Sequence, residues 1–298
     1  MECDILVIGC GPAGLSAAGY AARAGYNVLA IDSFAPGGQL LYIDEIENYP
    51  GYESTSGYSL AENFEKQAVS FGVRIEFWGA EKIEKNGDLF KVMTTGEEVV
   101  CKAVIFSSGA SHRHLGCPGE EEYQGRGVSY CATCDGPFFR GRKIAVVGGG
   151  DTALTDALYL SKIGSEVHII HRRNEFRGQK VLQDRVRAKD NIFLHLSLNV
   201  ERINGDDKGV KSVTLTDGSE LDVDAVFIFV GIIPNSSVLE GFADLDHGFV
   251  VTDSHMRTSV PGLFAAGDVR TTPFRQVVTA AGDGAAAAHA ADEYIQNL

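Results

Sequence analysis

The sequence predicts an α/β fold with two dinucleotide-binding domains, one inserted into the other. The first observation is an internal repeat, because residues 4–32 and 143–171 align without a gap at a shift of 139 positions. The second is that each copy contains a strand, a glycine turn, a helix and a second strand, which is the unit of a Rossmann-like domain. The third is length, since 298 residues exceed one compact core and suit two domains.

Apolar runs and glycines define the elements of each copy. Residues 5–8 and 144–147 are continuous apolar runs, as expected for strands buried on both faces of a parallel sheet. Each run is followed by a helix with small residues, and Gly25 and Gly164 are typical of helix C-termini. A second apolar strand then completes each unit.

A fainter repeat closes both units, because residues 103–109 resemble residues 225–231 and each reads as a strand ending at a glycine. No third unit begins after Gly231, and a helix is predicted at about 276–296. We infer that the C-terminal segment returns to complete the first domain. The predicted domains are a first dinucleotide-binding domain in two parts, 1–113 and 241–298, and a second dinucleotide-binding domain at 114–240.

Composition excludes several classes of function. The formal net charge of -14 disfavours nucleic acids and anionic membranes as partners. No uncharged apolar stretch reaches the roughly 18 residues of a membrane helix, and the acidic N-terminus is unlike a secretory signal. A cytoplasmic location is therefore expected. In a reducing cytosol, six cysteines would not form a structural disulfide framework, so a close pair points to metal binding or redox chemistry.

The first glycine turn has the pattern G-x-G-x-x-G between a strand and a helix. Its glycines permit a sharp turn and a close approach of the main chain to a pyrophosphate, which the helix N-terminus then binds. Asp32 follows 23 residues after the first glycine, the spacing of a carboxylate that hydrogen-bonds an adenosine ribose. The candidate FAD residues here are Gly9, Gly11, Pro12, Ala13, Gly14 and Asp32. The alternative is a glycine-rich packing turn.

The second turn follows the variant G-x-G-x-x-A, and its candidate residues are Gly148, Gly150, Asp151, Thr152 and Ala153. His171 occupies the position equivalent to Asp32, and Arg172, Arg173 and Arg177 follow it. Guanidinium groups pair with a 2′-phosphate, whereas a carboxylate accepts from a free 2′-hydroxyl. The second site is therefore expected to prefer NADPH, and the first to bind a different dinucleotide, FAD. The alternative is a solvated basic patch.

Cys131 and Cys134 form a C-x-x-C motif whose sulfurs can cycle between dithiol and disulfide. The motif could also be half of a zinc site or an inert buried pair. Beside two dinucleotide-binding units, redox chemistry is favoured, because a flavin is a natural two-electron partner for a disulfide. Asp135 follows at once and can act as general acid and base, although a turn-forming role is the alternative. The other cysteines are assigned no chemistry, and no histidine pair has metal-site spacing.

These motifs, in this order, resemble the low-molecular-weight NADPH-dependent thioredoxin reductases, and the resemblance covers essentially the whole chain. The redox pair and the NADPH site belong to one predicted domain and must reach the same flavin in turn, so rotation of the second domain between half-reactions is expected. The resemblance implies electron transfer from NADPH through FAD to the Cys131–Cys134 disulfide and then to thioredoxin. It also implies that Cys134 faces the flavin, that Cys131 exchanges with thioredoxin, and that the protein is a homodimer. Further FAD contacts implied by the resemblance, together with the glycine that closes the first unit, are Gly38, Gln39, Leu40, Asn48, Gly109, Gly267, Asp268, Arg275 and Gln276.

The sequence departs from the family at a few positions, and three other functions compete. Ser107-Ser108 replaces the usual Ala-Thr, Thr155-Asp156 replaces two acids, and Cys117 replaces an aliphatic residue. The first competitor is a reductase of another disulfide partner, such as a peroxiredoxin-linked module, which usually carries an extra N-terminal redox domain. A non-catalytic flavin-binding protein does not need the C-x-x-C-D motif. A relative that receives its electrons from ferredoxin would lack the glycines and arginines of the second site.

Overall fold

The computed structural model describes residues 1–43 and 45–298, and they form two compact units. One unit comprises Met1–Ser111 and Ile233–Leu298, and the other comprises His112–Ile232. The helices are α1 (Pro12–Arg23), α2 (Gly57–Ser70), α3 (Ala132–Asp135), α4 (Asp151–Leu160), α5 (Lys180–Arg187) and α6 (Val277–Gln296).

The strands up to the first crossing between units are β1 (Ile5–Ile8), β2 (Val28–Ile31), β3 (Arg74–Glu76), β4 (Ala80–Asn86), β5 (Leu89–Thr94), β6 (Val99–Cys101), β7 (Ala103–Phe106) and β8 (Ala110–His112). The strands that follow are β9 (Val128–Ser129), β10 (Lys143–Gly148), β11 (Glu166–His171), β12 (Ile192–Leu196), β13 (Val200–Asp206), β14 (Gly209–Leu215), β15 (Glu220–Asp222), β16 (Ala225–Phe229), β17 (Ile232–Pro234), β18 (Leu245–Asp246), β19 (Phe249–Val250) and β20 (Leu263–Ala265). Short 3-10 turns occur at Gly38–Tyr42, Gly136–Phe139, Ser237–Leu239 and Gly267–Val269.

Each unit is built on a five-stranded parallel sheet. The strand order is β20-β7-β1-β2-β3 in the first unit and β12-β11-β10-β16-β9 in the second. In both, the first strand of the repeat lies between the second strand and the returning strand, with Ile5 opposite Val28 and Ala103, and Ile144 opposite Val167 and Ala225. The predicted fold class, two Rossmann-like α/β domains with one inserted, is confirmed.

Small residues bring α1 and α6 into close contact over the first sheet. Ala13, Ala17 and Ala18 of α1 are buried in one core cluster with Ala287 and other alanines of α6. A Cβ on Gly284 would clash with the carbonyl oxygen of Ala13, so the helices can approach this closely only because that position is glycine. The C-terminal segment therefore supplies one strand and one covering helix to the unit that opens the chain.

An antiparallel three-stranded sheet covers the other face of each parallel sheet. In the first unit, β4-β5-β6 contributes Phe90 and Val92 to a core with Leu6 and Phe106. In the second unit, β13-β14-β15 contributes to a core cluster with β10 and β16. The parallel strands are consequently buried on both faces, which is why their sequences are continuously apolar.

The chain crosses between units through β8 and β17, which pair with each other. The structural division falls after Ser111 and after Ile232, whereas sequence placed boundaries after residues 113 and 240. The second difference has a packing cause, because Leu239 is fully buried in the core of the first unit, against residues of its sheets.

Candidate active site

The three glycines of the first turn have different surroundings. Gly9 has a φ of +100°, and a Cβ there would collide with the main chain of Ser107. A Cβ on Gly14 would clash with the carbonyl oxygen of Gly9, whereas a Cβ on Gly11 would meet no described atom within 4 Å. Packing within the protein therefore explains Gly9 and Gly14, and the open space at Gly11 is the place where a phosphate can approach the main chain.

Asp32 lies beside this turn, at the end of β2. Its Oδ2 accepts the N–H of Cys10 at 2.7 Å, and its Oδ1 accepts the N–H of Phe34 at 3.1 Å. The carboxylate is thereby fixed at the carboxyl edge of the parallel sheet, which is the position from which an acid hydrogen-bonds a ribose in Rossmann-like domains.

Two further glycine segments converge on the same turn. A Cβ on Gly38 would lie 3.3 Å from the Cα of Gly11, and one on Gly267 would lie 2.9 Å from the Cβ of Ala13. Gly109, at the end of the returning strand, has a φ of +70° and no described atom within 4 Å of its Cβ position. Segments separate in sequence therefore form one glycine-lined surface around the N-terminus of α1.

Asp268 and Arg275 place a carboxyl and a guanidinium beyond β20. Burial raises the pKa of Asp268 to about 6, and the positive charge of Arg275 partly opposes this shift. Arg275 Nε donates to the main-chain oxygen of Asp268 at 3.4 Å, and its guanidinium lies 4.5 Å from the centre of the Phe249 ring. A carboxyl that is partly protonated near neutral pH can either donate to or accept from a ligand hydroxyl.

The remaining candidate FAD residues are held by one another or by the main chain. Gln39 Nε2 donates to the carbonyl of Ala110, and Asn48 Nδ2 donates to Gln276 Oε1 at 3.1 Å. Leu40 is buried in a small apolar cluster beside α2. These contacts hold the amide side chains of Gln39 and Asn48 in defined orientations.

The second turn repeats the geometry of the first. Gly148 has a φ of +150°, and a Cβ there would lie 2.8 Å from the Cβ of Ala153. A Cβ on Gly150, the second glycine, would again meet no described atom within 4 Å. Asp151 begins α4, and its Oδ1 accepts the N–H of Gln179 at 2.7 Å, so the turn is tied to the start of α5. Thr152 is exposed beside it.

His171 lies beneath this turn instead of projecting from the sheet edge. It is only 6% exposed, and a Cβ on Gly149 would lie 2.5 Å from its ring. Burial lowers the pKa of His171, and the positive charges of Arg172, Arg173 and Arg177 add to this effect. Its Nε2 has no hydrogen-bond partner among the residues described. A neutral histidine therefore supports the turn, while the arginines surround it.

Arg172, Arg173 and Arg177 are exposed around the carboxyl end of β11. None of the three forms an ion pair with another residue of the described chain. The N–H of Arg177 donates to the carbonyl of Gly149 at 2.8 Å, which joins the arginine segment to the glycine turn. Three guanidinium groups without carboxylate partners are available to an anionic ligand at this edge.

Cys131 and Cys134 form a disulfide in the second unit. Cys131 is the N-cap of the one-turn helix α3, and its Sγ accepts the N–H of Cys134 at 3.2 Å. Ser129 Oγ accepts the N–H of Cys131 at 3.0 Å, and Ala132 is buried against α4. Asp135 closes the helix, with its N–H donating to the carbonyl of Cys131 at 3.2 Å. Both cysteines are half-buried, so the disulfide is not enclosed by the protein.

The chain is similar to known proteins of one oxidoreductase family over almost its whole length. The family model described as pyridine nucleotide-disulphide oxidoreductase matches residues 3–284. A thioredoxin reductase of Treponema pallidum is 48% identical over 99% of this chain and 98% of its own length. The chain belongs to the thioredoxin reductases of this oxidoreductase family.

Two solved thioredoxin reductase structures extend the comparison. That from Streptococcus pyogenes is 43% identical, covers 100% of this chain and 99% of its own, and gives a TM-score of 0.96. That from Lactococcus lactis, described as the FR conformation, is 42% identical, covers 99% of this chain and 100% of its own, and gives a TM-score of 0.68. The predicted resemblance, the oxidoreductase class and the dependence of the family on FAD and NADPH are confirmed.

The thioredoxin reductase fold explains one departure from the family sequence. Ser107 is buried at a position where the family commonly has alanine. Its hydroxyl donates toward two carbonyl oxygens, that of Ile8 at 3.0 Å and that of Gly9 at 2.9 Å. The serine thereby satisfies main-chain acceptors at the glycine turn. In the described part of the chain, no group of three or more His, Cys, Asp or Glu is arranged to hold a metal ion, and no helix is long and apolar enough to span a bilayer.

The surroundings of Gly11 yield a test of FAD binding. Gly11→Ala adds a methyl group that the protein itself can accommodate, because no described atom lies within 4 Å and the main chain is extended there. We expect Gly11→Ala to unfold at the wild-type temperature as apoprotein but to bind FAD at least about tenfold more weakly, as a pyrophosphate needs close main-chain approach. Flavin fluorescence titration measures the affinity.

Gly19→Ala is the matched control for this test. Gly19 lies in α1, the helix that Gly11 caps, and a Cβ there would make only ordinary contacts at 3.9 Å. Wild-type FAD affinity in Gly11→Ala would contradict the assignment of the first turn to FAD.

A network of polar side chains beside the redox pair is not evident from the sequence. Tyr130, directly before Cys131, donates its hydroxyl to Glu120 Oε1 at 2.8 Å and lies 2.9 Å from His114 Nδ1. Its ring stacks on His112 at 5.0 Å between centres. Glu120 is 2% exposed and also accepts the N–H groups of Leu115 and Gly116. The network fixes the residue before Cys131 to the segment that enters the second unit.

Proposed function

We propose that the protein is a thioredoxin-disulfide reductase that passes electrons from NADPH through FAD to the Cys131–Cys134 disulfide and then to thioredoxin. The observation that carries the proposal is the half-buried disulfide in the same compact unit as the arginine-edged second turn. When bound, FAD supplies the two-electron relay between a nicotinamide and a disulfide. A non-catalytic flavin-binding protein would have no use for this redox pair.

The proposed binding residues divide between the two units. Those for FAD belong to the first unit: Gly9, Gly11, Pro12, Ala13, Gly14, Asp32, Gly38, Gln39, Leu40, Asn48, Gly109, Gly267, Asp268, Arg275 and Gln276. Those for NADPH belong to the second: Gly148, Gly150, Asp151, Thr152, Ala153, His171, Arg172, Arg173 and Arg177. The open space at both second glycines supports the two sets, because ligand approach accounts for glycine there and packing within the protein does not.

Cys131, Cys134 and Asp135 are proposed to carry out the disulfide chemistry. Two electrons and two protons convert the disulfide to a dithiol. Cys131 as thiolate then attacks the thioredoxin disulfide, and Cys134 resolves the mixed disulfide, releasing reduced thioredoxin. Each departing thiolate requires a proton, which the Asp135 carboxyl next to Cys134 is proposed to deliver. The hydrogen bond from the Cys134 N–H to Cys131 Sγ favours the thiolate form of Cys131.

Rotation of the second domain between half-reactions forms part of the proposal. The disulfide and the NADPH residues lie in one unit, only 14 positions apart at Cys134 and Gly148, and cannot occupy the same place beside a flavin together. The paired strands β8 and β17 are the two crossings about which such a unit can turn. Two solved relatives of 43% and 42% identity differ widely in TM-score, which supports more than one conformation in the family.

A homodimer and a cytoplasmic location are also proposed. Both rest on the thioredoxin reductase relatives and on the reducing environment that a thiol-based reaction with thioredoxin requires. Size-exclusion chromatography with light scattering measures the oligomeric state, and a monomer at micromolar concentration would contradict the dimer.

One assay tests the function directly. NADPH oxidation is followed with thioredoxin, with an aromatic disulfide reagent alone, and with both together. We expect NADPH consumption to depend on thioredoxin and to yield two thiols for each NADPH. Turnover with the reagent alone at the same rate would indicate a different physiological disulfide partner, and no oxidation of NADPH under any condition would contradict the proposal.

The Tyr130 network gives a further prediction for this reaction. Tyr130→Phe keeps the ring on His112 but removes one hydrogen-bond donor from the buried Glu120 carboxylate. We expect thioredoxin turnover to fall about tenfold, because a hydrogen bond to a charged group is lost beside Cys131. NADPH-dependent reduction of bound FAD should stay near the wild-type rate.

Tyr123→Phe makes the same chemical change in the same unit, at a tyrosine whose hydroxyl bonds Glu122 instead of Glu120, and serves as the control. Equal turnover of Tyr130→Phe and Tyr123→Phe would show that the network does not position the redox pair.

A further inference from the structure

A second pair of cysteines meets in the first unit. Cys3 and Cys101 are 98 positions apart in sequence, yet both are buried in the core cluster beneath the β4-β5-β6 sheet. The N-terminal segment runs parallel to β6, with Val100 N–H donating to the carbonyl of Met1 at 2.9 Å and Cys3 N–H donating to the carbonyl of Val100 at 3.1 Å.

The register of this pairing places the cysteines opposite each other. Glu2 pairs with Val100 in a parallel bridge, so the next residues along the two strands are Cys3 and Cys101. Register partners in neighbouring strands share one face of the sheet. Neighbouring strands lie about 4.8 Å apart, and this spacing falls within the Cα separation of about 4.4–6.8 Å that a disulfide spans. The two thiols are also joined by a hydrogen bond.

The two thiols are not equivalent. Cys3 is 8% exposed and Cys101 is 1% exposed. The hydrogen bond from Cys101 lowers the pKa of Cys3, the positive charge of Arg74 acts in the same direction, and burial opposes them. The same bond and burial raise the pKa of Cys101. A thiol that ionises more readily therefore lies at the surface side of one that stays protonated, as in redox-sensing pairs with a resolving cysteine.

We propose that Cys3 and Cys101 form a reversible disulfide when the protein meets hydrogen peroxide. The Cys3 thiolate attacks one peroxide oxygen, the O–O bond breaks, and after protonation a sulfenic acid and one water result. The Cys101 thiol then attacks the Cys3 sulfur, the S–O bond breaks, and a second water leaves. Two thiols thus lose two electrons and two protons, and a dithiol reverses the reaction.

The position of this pair in the fold gives the oxidation a structural effect. Cys3 precedes β1 and Cys101 precedes β7, and these neighbouring strands carry Gly9 and Gly109 just beyond their opposite ends. A bond between Cys3 and Cys101 closes a long loop of the unfolded chain and so stabilises the first unit.

Peptide mapping tests the proposal on the native protein. After peroxide treatment and alkylation of the remaining thiols, trypsin should release peptide 1–23 joined to peptide 92–102. Cleavage before Asp4 separates Cys3 from Cys10 and assigns the bond. Cys117 is the internal control, because it is more exposed than Cys3 but burial and the charge of Glu120 raise its pKa to about 11. It should remain alkylatable at the peroxide concentration that joins the two peptides.

Thermal unfolding supplies the second measurement. Oxidised protein should unfold roughly 5 °C above the reduced protein, a shift absent in Cys3→Ser and in Cys101→Ser, which retain the Cys131–Cys134 disulfide. Cys3 oxidised to a sulfinic acid without the joined peptides, or joined peptides only after denaturation, would overturn the proposal.

Discussion

Replacing either redox cysteine by serine is expected to abolish thioredoxin reduction while leaving NADPH-dependent reduction of bound FAD intact. Serine is close to cysteine in size and shape but cannot form a disulfide, so electrons have no exit from the flavin. We expect thioredoxin turnover in Cys131→Ser to fall by roughly 1,000-fold or more, since removing one member of a catalytic unit removes the function of the whole unit. Stopped-flow absorbance of the flavin and a steady-state thioredoxin assay measure the two half-reactions separately.

Cys117→Ser is the matched control for this experiment. Cys117 is half-buried in the same unit, and it makes no disulfide in the described structure. Wild-type turnover in Cys117→Ser together with loss in Cys131→Ser would locate the electron exit at α3. Thioredoxin reduction that persists in Cys131→Ser would contradict the assignment of the exchanging sulfur, and loss of flavin reduction as well would indicate damage to the fold.

The repeated units were predictable because their signals are local. A four-residue apolar run such as Ile5–Ile8 that ends at a glycine turn favours a short strand buried on both faces, and the turn specifies the start of the helix. The repeat predicts the same unit twice, and the structure shows the same arrangement of three repeat strands in both units. The antiparallel sheets β4-β5-β6 and β13-β14-β15 were not assigned, because their strands alternate only partly and pair at a surface.

The residues that were missed depend on contacts between distant segments. Tyr130 could be noticed only as the neighbour of Cys131, and nothing in the sequence shows that its hydroxyl reaches buried Glu120. Cys3 and Cys101 were assigned no chemistry because a separation of 98 positions says nothing about register. His171 was matched to Asp32 by alignment, but its burial under Gly149 depends on packing that the sequence does not show. Alignment identifies the position in the chain, whereas packing decides how the side chain there is oriented.

The arginine cluster provides the second large expected effect. Arg172→Ala combined with Arg173→Ala should raise the KM for NADPH about a hundredfold, since each charge-assisted hydrogen bond contributes about 1.5 kcal/mol, or roughly tenfold, at the low end appropriate to exposed groups. The KM for NADH should change little, because NADH lacks the 2′-phosphate. These guanidinium groups have no carboxylate partners among the described residues, so their removal leaves no buried charge and should not destabilise the unit.

Arg185→Ala removes the same charge from an exposed position on α5 and controls for the general electrostatic attraction of NADPH to the second unit. A small rise in the KM for NADPH in this control, lost at high salt, would measure that attraction alone. The specific contribution of Arg172 and Arg173 is then the excess over the control. Parallel losses for NADPH and NADH in the double variant would contradict the phosphate assignment, because an interaction that does not distinguish the two nucleotides cannot involve the group by which they differ.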